Sequence, residues 1–286
     1  MNNQNAQIII YILAFAVVGY FFISRAKSIK VKKKPVGDSE KMLREPGHSL
    51  AIKSESENER IFLLIVFSLL VPLTLIVGNN SSLQWYLIIP LLLLIGAFCG
   101  WLVSSRVMML RNLYLGLQGE RLVGEMLAWL MKDGFDVFHD YPIDPNGKSG
   151  NIDHIVVGPN GVFSIETKTV RKPTDDEKKE KYIVKYDGEY LNYPHFKTKN
   201  GGIKQSINNG KYLSKELSSS VDEHIQVFPV LTLPGWFVES KSSTPLMVLN
   251  PKNIRSNILK KDPVLSESLQ RKIAHRIKER CKDVSF

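Results

Sequence analysis

The sequence predicts an α/β fold with transmembrane helices at its amino end, and three observations predict it. Uncharged apolar stretches crowd the first third of the 286 residues; short alternating apolar runs, broken by Pro-Asn-Gly turns, follow; and helical spacing brackets those runs on both sides. The expected architecture is N-terminal transmembrane helices followed by a mixed sheet flanked by helices.

The first third contains three apolar stretches. Ile8 to Ile23 is apolar apart from tyrosine and glycine, Ile61 to Val77 carries no charge, and Leu83 to Val103 includes the run Leu87 to Ile95 with Pro90 inside it. At 1.5 Å per residue, roughly 16–21 residues cover about 24–32 Å, close to the hydrocarbon thickness of about 30 Å. The first stretch has no basic residue before it and no small-residue cleavage site after it, which argues against a secretory signal. Arg25, Lys27, Lys30, Lys32, Lys33 and Lys34 follow it, whereas Asn79-Asn80-Ser81-Ser82 is uncharged. Excess lysine and arginine marks the cytoplasmic side. The sequence therefore predicts an integral membrane protein with three spans, its N-terminus outside and its C-terminal domain cytoplasmic.

The chain divides into a first transmembrane helix at 1–24, a basic cytoplasmic loop at 25–60, a transmembrane helix pair at 61–105, a soluble domain at 106–220 and a C-terminal extension at 221–286. Arg25 to Arg60 carries ten Lys/Arg against six Asp/Glu, which both membrane topology and attraction to nucleic acid explain. From Arg106 onward the balance is 28 against 22, favouring a polyanion or an anionic lipid surface. Cys99 and Cys281 are the two cysteines, too few for a disulfide framework or a cysteine zinc site within one chain. No histidine pair at helical ligand spacing, P-loop, Gly-x-Ser-x-Gly elbow or long repeat is present.

In the soluble part, Leu115, Leu122, Val123, Met126, Leu127 and Leu130 recur at three and four, predicting an amphipathic helix stopped by Gly134 and able to run on from the third span. Phe135 to Tyr141, Asn151 to Val157 and Val162 to Thr169 are strand candidates, separated by Pro145-Asn146-Gly147 and Pro159-Asn160-Gly161. The charged stretch after Val170 lacks core residues and reads as a mobile loop. Tyr182 to Tyr186 and Glu189 to Leu191 flank Asp187-Gly188 as a hairpin; Ile203 to Leu217 is helical; Ile225 to Leu233 and Pro245 to Leu249 are buried strands; Leu265 to Lys282 is a basic closing helix.

Strand alternation puts Glu166 and Lys168 on one face with Ser164, a polar working edge, while Phe163, Ile165 and Thr167 point the other way. If Asn151 to Val157 pairs antiparallel beside this strand, Asp153 reaches the same edge. Two carboxylates there can share Mg²⁺ or Mn²⁺ and hold it against a phosphate oxygen, with Lys168 orienting water or neutralising developing charge. Glu-x-Lys alone is weak evidence, since it recurs at Glu177-Lys178-Lys179 and Glu239-Ser240-Lys241, and salt bridges on an exposed hairpin read the same way.

Gly119-Glu120-Arg121, then Asn151-Ile152-Asp153-His154-Ile155-Val156-Val157-Gly158, then Gly161-Val162-Phe163-Ser164-Ile165-Glu166-Thr167-Lys168 resemble the nuclease-related domain (NERD), over roughly Leu115 to Leu217. That domain is similar to the restriction-endonuclease-like PD-(D/E)XK superfamily. The resemblance makes 106–220 a nuclease-related domain with a restriction-endonuclease-like mixed sheet. It implies that Asp153 and Glu166 are metal ligands, Lys168 the catalytic lysine, and Glu120 a helix acid facing the site. Gln205 stands where the family places a glutamine whose amide holds a ligating water or a phosphate. Solvated helix-surface groups are the plainer reading of Glu120 and Gln205. His154 falls on the strand face opposite Asp153 and packs or hydrogen-bonds there. The long charged stretch after Lys168, and Gly201-Gly202 where the family commonly has Asn-Pro, depart from the pattern. The implied function is a membrane-anchored, metal-dependent nuclease acting on DNA or RNA at the inner face of a bilayer. The alternative is an inactive nucleic-acid-binding or protein-interaction module tethered to the membrane.

Overall fold

The computed structural model describes residues 42–78, 85–144, 150–172, 182–199, 201–240 and 244–284. Its elements run β1 (Met42–Leu43), α1 (His48–Gly78), α2 (Trp85–Leu127), a 3₁₀ turn (Ala128–Asp133), β2 (Asp136–Pro142), β3 (Asn151–Gly158) and β4 (Gly161–Thr167). Then follow β5 (Ile183–Tyr186), β6 (Leu191–Asn192), β7 (Lys197–Thr198), α3 (Ile203–Val221), β8 (Val227–Thr232), β9 (Phe237–Ser240), β10 (Met247–Leu249), α4 (Pro251–Leu259), α5 (Glu267–Cys281) and β11 (Lys282–Val284).

Packing separates the chain into two units, one containing Ile52–Asn112 and the other Glu40–Ala51 with Leu113–Ser285. In the first unit, Glu57 is buried and accepts from Arg60 Nη1 at 2.8 Å and Arg106 Nη1 at 3.0 Å. Leu93, Leu94, Phe98 and Trp101 are exposed, an apolar surface that suits lipid or a partner. Among the described residues one helix, Ile89–Asp133, is long and apolar enough to cross a membrane by length and composition. That is fewer than the three predicted spans. The first of them, Ile8 to Ile23, lies outside the described residues, and the second falls within α1 without standing as a further candidate.

The second unit is built on a mixed sheet of order β10-β8-β4-β3-β2. β2, β3 and β4 form an antiparallel meander, and β8 lies parallel to β4 and to β10. Parallel neighbours require a crossover, and α3 supplies it between β4 and β8. One apolar cluster joins Ile155, Val157 and Val162 to Leu213, Leu217, Ile273 and Ile277 of α3 and α5. Another joins Val156, Phe163 and Ile165 to Val123, Leu127, Ile254 and Ile258 of α2 and α4. Covered on both faces, β4 is buried along its whole length. The predicted polar edge is correspondingly narrower: Ser164 is buried with no side-chain hydrogen-bond partner, Glu166 is buried as well, and the first polar side chain open to solvent is that of Lys168.

A smaller sheet, β7-β6-β5-β9, packs Val184, Tyr186, Leu191 and Tyr193 against Trp236 and Leu233. The predicted hairpin is present as β5 and β6. Most of the charged stretch read as a mobile loop lies outside the described residues. Residues 42–51, placed by the sequence in the loop 25–60, belong to this folded unit. β1 pairs with β11, and Pro46 lies so close to α2 at Gly124 that a Cβ there would come within 2.4 Å of its ring.

Candidate active site

The site forms where the β3–β4 ladder stops. Pairing runs from Gly158↔Gly161 to His154↔Ile165, and one step further the same register sets Asp153 opposite Glu166. Instead of a ladder carbonyl, Asp153 Oδ2 takes the next amide, that of Thr167, at 2.7 Å. Lys168 leaves the strand with its own amide on Thr232 O at 2.9 Å, which keeps its side chain beside Glu166. Its Nζ lies 3.5 Å from Glu166 Oε1 and 3.3 Å from Gln205 Oε1 on the first turn of α3. One turn later, Asn209 Nδ2 donates to Glu166 Oε2 at 3.1 Å.

α3 comes this close because it starts at Gly202, in the left-handed region at φ 92°. A Cβ there would approach Leu231 at 2.9 Å, with Lys168 and Glu166 next to it, so glycine suits the position on both counts. From the other side α2 presents Glu120. Its neighbour Gly119 would, with a Cβ, overlap the Thr169 hydroxyl.

Three acids are almost sealed from water: Glu120 and Asp153 are each 6% exposed and Glu166 2%. Burial, then the charges of Asp153 and Asp140, push the Glu120 carboxyl up to about 9, opposed by the Gly47 backbone and Lys168. Burial lifts Asp153 to about 7, against the Thr167 amide and Lys168. Burial and the charge of Asp153 push Glu166 well above the usual carboxylate range, with Lys168 again opposing. Mutually repelling buried carboxylates with one ammonium beside Glu166 form an environment that a dication would relieve. Glu120 Oε2 is buried and has no hydrogen-bond partner.

Among the described residues no group of three or more His, Cys, Asp and Glu side chains is arranged to hold a metal ion. An oxygen pair from Asp153 and Glu166 is nonetheless a fit for magnesium, which retains several waters and uses few protein carboxylates. Zinc or iron chemistry finds no support here, since the nearby His139 and His154 are turned to each other. Their Nδ1 atoms are 2.8 Å apart, and burial depresses both, His139 to about 4.

A nuclease-related domain (NERD) is found at residues 115–234. No curated protein and no solved structure matches the chain. The NERD match extends beyond Leu217 through β8, the strand that flanks Glu166 on its parallel side. All five residues singled out in the sequence, Glu120, Asp153, Glu166, Lys168 and Gln205, belong to the NERD stretch and meet at one locus. Two participants went unread. Asn209 sits one helical turn after Gln205, a spacing the sequence displays. Asp140 carried no signal: it is a strand residue held at φ 52°, fully buried beside the acids.

Proposed function

We propose that the chain is a membrane-anchored, metal-dependent nuclease that hydrolyses phosphodiester bonds in DNA or RNA. The observation that carries this reading is the convergence, inside a nuclease-related domain, of the buried Asp153 and Glu166 carboxylates with the Lys168 amine. We read the mixed sheet as similar to that of the PD-(D/E)XK superfamily. Asp153 and Glu166 would hold Mg²⁺ or Mn²⁺. Such an ion would supply charge stabilisation at the phosphate. Lys168, held between Glu166 and Gln205, orients the attacking water or offsets charge on the phosphate oxygens. Asn209 keeps Glu166 from turning away.

The apolar part of α2 serves as a membrane anchor in this reading, supported by its exposed Leu93, Leu94, Phe98 and Trp101. The apolar composition of the stretches 8–23 and 61–77 is what would make them two further spans in this reading. The lysines between them put the nuclease on the cytoplasmic side, facing DNA that approaches the bilayer.

The test uses the full chain in detergent with single- and double-stranded DNA and RNA, in Mg²⁺, Mn²⁺ or chelator. Asp153→Ala, Glu166→Ala and Lys168→Ala should each abolish cleavage that the parent performs with metal. Variants that cut as well as the parent would sink the assignment. A second reading is a tethered binding module without catalysis. Binding that persists in chelator and never yields product would favour it.

A further inference from the structure

We infer that Asp140, gripped by the segment 42–51 from outside the NERD stretch, is a positioning residue for the carboxylate site. The inference rests on the reading of Asp153 and Glu166 as the working pair.

Asp140 has no solvent exposure, and a charge buried without partners is strongly unfavourable. Its partners are complete. Oδ1 accepts from Ser49 N at 3.3 Å and Asn151 Nδ2 at 2.5 Å; Oδ2 accepts from Arg44 Nη1 at 2.8 Å and Ser49 Oγ at 2.7 Å. A carboxylate offers about four acceptor positions, so none remains for a cation. That distinguishes Asp140 from Glu120, whose Oε2 is unpartnered.

The backbone puts this saturated acid against a working one. β2 and β3 pair His139↔His154 and Tyr141↔Ile152, so Asp140 stands across from Asp153 in the gap between those pairs. Its left-handed conformation turns it out of the regular ladder, and Arg44 also donates to its carbonyl at 3.0 Å. Where Asp140 is pinned therefore decides where the β3 backbone presents Asp153.

The same short segment reaches Asp140 and Glu120. α1 begins after Gly47, which has no side chain with which to cap it, and Asp140 takes that role by accepting from the Ser49 amide and hydroxyl. The helix dipole favours an anion there. Gly47 itself lies against Glu120, 3.7 Å from its carboxylate in Cβ terms, and Pro46 rests on Gly124 of the same helix. A NERD fragment starting at Leu115 would lose Arg44, Ser49 and Gly47 and leave Asp140 with Asn151 alone.

The experiment compares Arg44→Ala, Arg44→Lys and Arg44→Ala/Asp140→Asn in the full chain in detergent. Partners behind a ligand shell typically govern roughly 10–100-fold in activity or metal affinity. Arg44→Ala should lower kcat by about tenfold or more on that scale, leaving KM near the parent value. Arg44→Lys should recover most of it. The double variant should be less impaired than Arg44→Ala, because no unpaired buried charge remains. Amide exchange at Thr167, whose N–H is held by Asp153, should quicken in Arg44→Ala and return in Arg44→Lys. Parent-like kcat and parent-like Thr167 exchange in Arg44→Ala overturn the inference, as does a loss that neither Arg44→Lys nor the double variant relieves. Should Arg44→Ala fail to fold, Ser49→Ala gives the same comparison with one donor removed. A parent that neither cuts nor binds Mn²⁺ overturns the nuclease reading alone, and the exchange comparison still decides this one.

Discussion

Replacing Glu120 with glutamine removes the ionisation of the most strongly displaced helix acid while keeping its shape, and the effect on stability has a definite sign. In the folded chain without metal the group titrates near 9 because of burial and the Asp153 and Asp140 charges; its ordinary value is 4.5. A carboxyl raised on folding contributes stability that is complete below 4.5 and lost as pH rises toward about 9. At pH 7 the folded chain still holds the proton that the unfolded chain has released, a cost of roughly 3 kcal/mol. Glu120→Gln escapes that cost. The variant should match the parent near pH 4.5, exceed it by up to roughly 3 kcal/mol at pH 7 in chelator, and exceed it further toward pH 9. His139 and His154 act in the opposite sense: buried neutral, they favour folding above 6.5 and lose that contribution as pH falls. Both chains carry these histidines, so the difference between parent and variant isolates the acid. Chemical denaturation across the pH range, followed through the buried Trp236, reads it out. Magnesium binds ionised carboxylates and should narrow the gap. A gain that is equal at pH 4.5 and pH 9, or a parent stability that stays flat from 6.5 to 9 in chelator, would refute the reasoning.

Two further outcomes follow from the same geometry. Asn209→Ala removes the amide that meets Glu166 Oε2 in a buried setting, and should cost about 1–3 kcal/mol by denaturation; Asn209→Asp, adding a like charge, should cost more. Gly202→Ala introduces a Cβ 2.9 Å from Leu231 at φ 92°, and should destabilise by about 1–3 kcal/mol while lowering cleavage, since Lys168 and Glu166 lie beside it.

Much of the second unit was legible because its signals are local. Pro159-Asn160-Gly161 marks the β3–β4 turn, alternation marks the strands, and a two-residue period ties Glu166 to Lys168 on one side. An antiparallel turn of known position sets Asp153 opposite Glu166 by counting alone. Helical spacing likewise announced α2 and α3, and so the elements that bring Glu120 and Gln205 to the strand end.

Other features depend on where distant segments meet, and no local period encodes that. Composition placed residues 42–51 in a basic loop, yet they pair with the last strand and close over Asp140, ninety-odd positions away in the chain. Asp140 looked like an ordinary strand residue, because nothing in the alternation around it announces its φ of 52°. Ser164 read as part of a polar edge, since alternation reports which side a residue faces and not what covers that side. The sequence by itself determined the central strands and their flanking helices, and the acids that converge, through periodicity and turn chemistry. Only the tertiary structure decided how those acids are buried, which donors hold them, and which remote segment completes their surroundings, because burial and charge compensation are properties of packing.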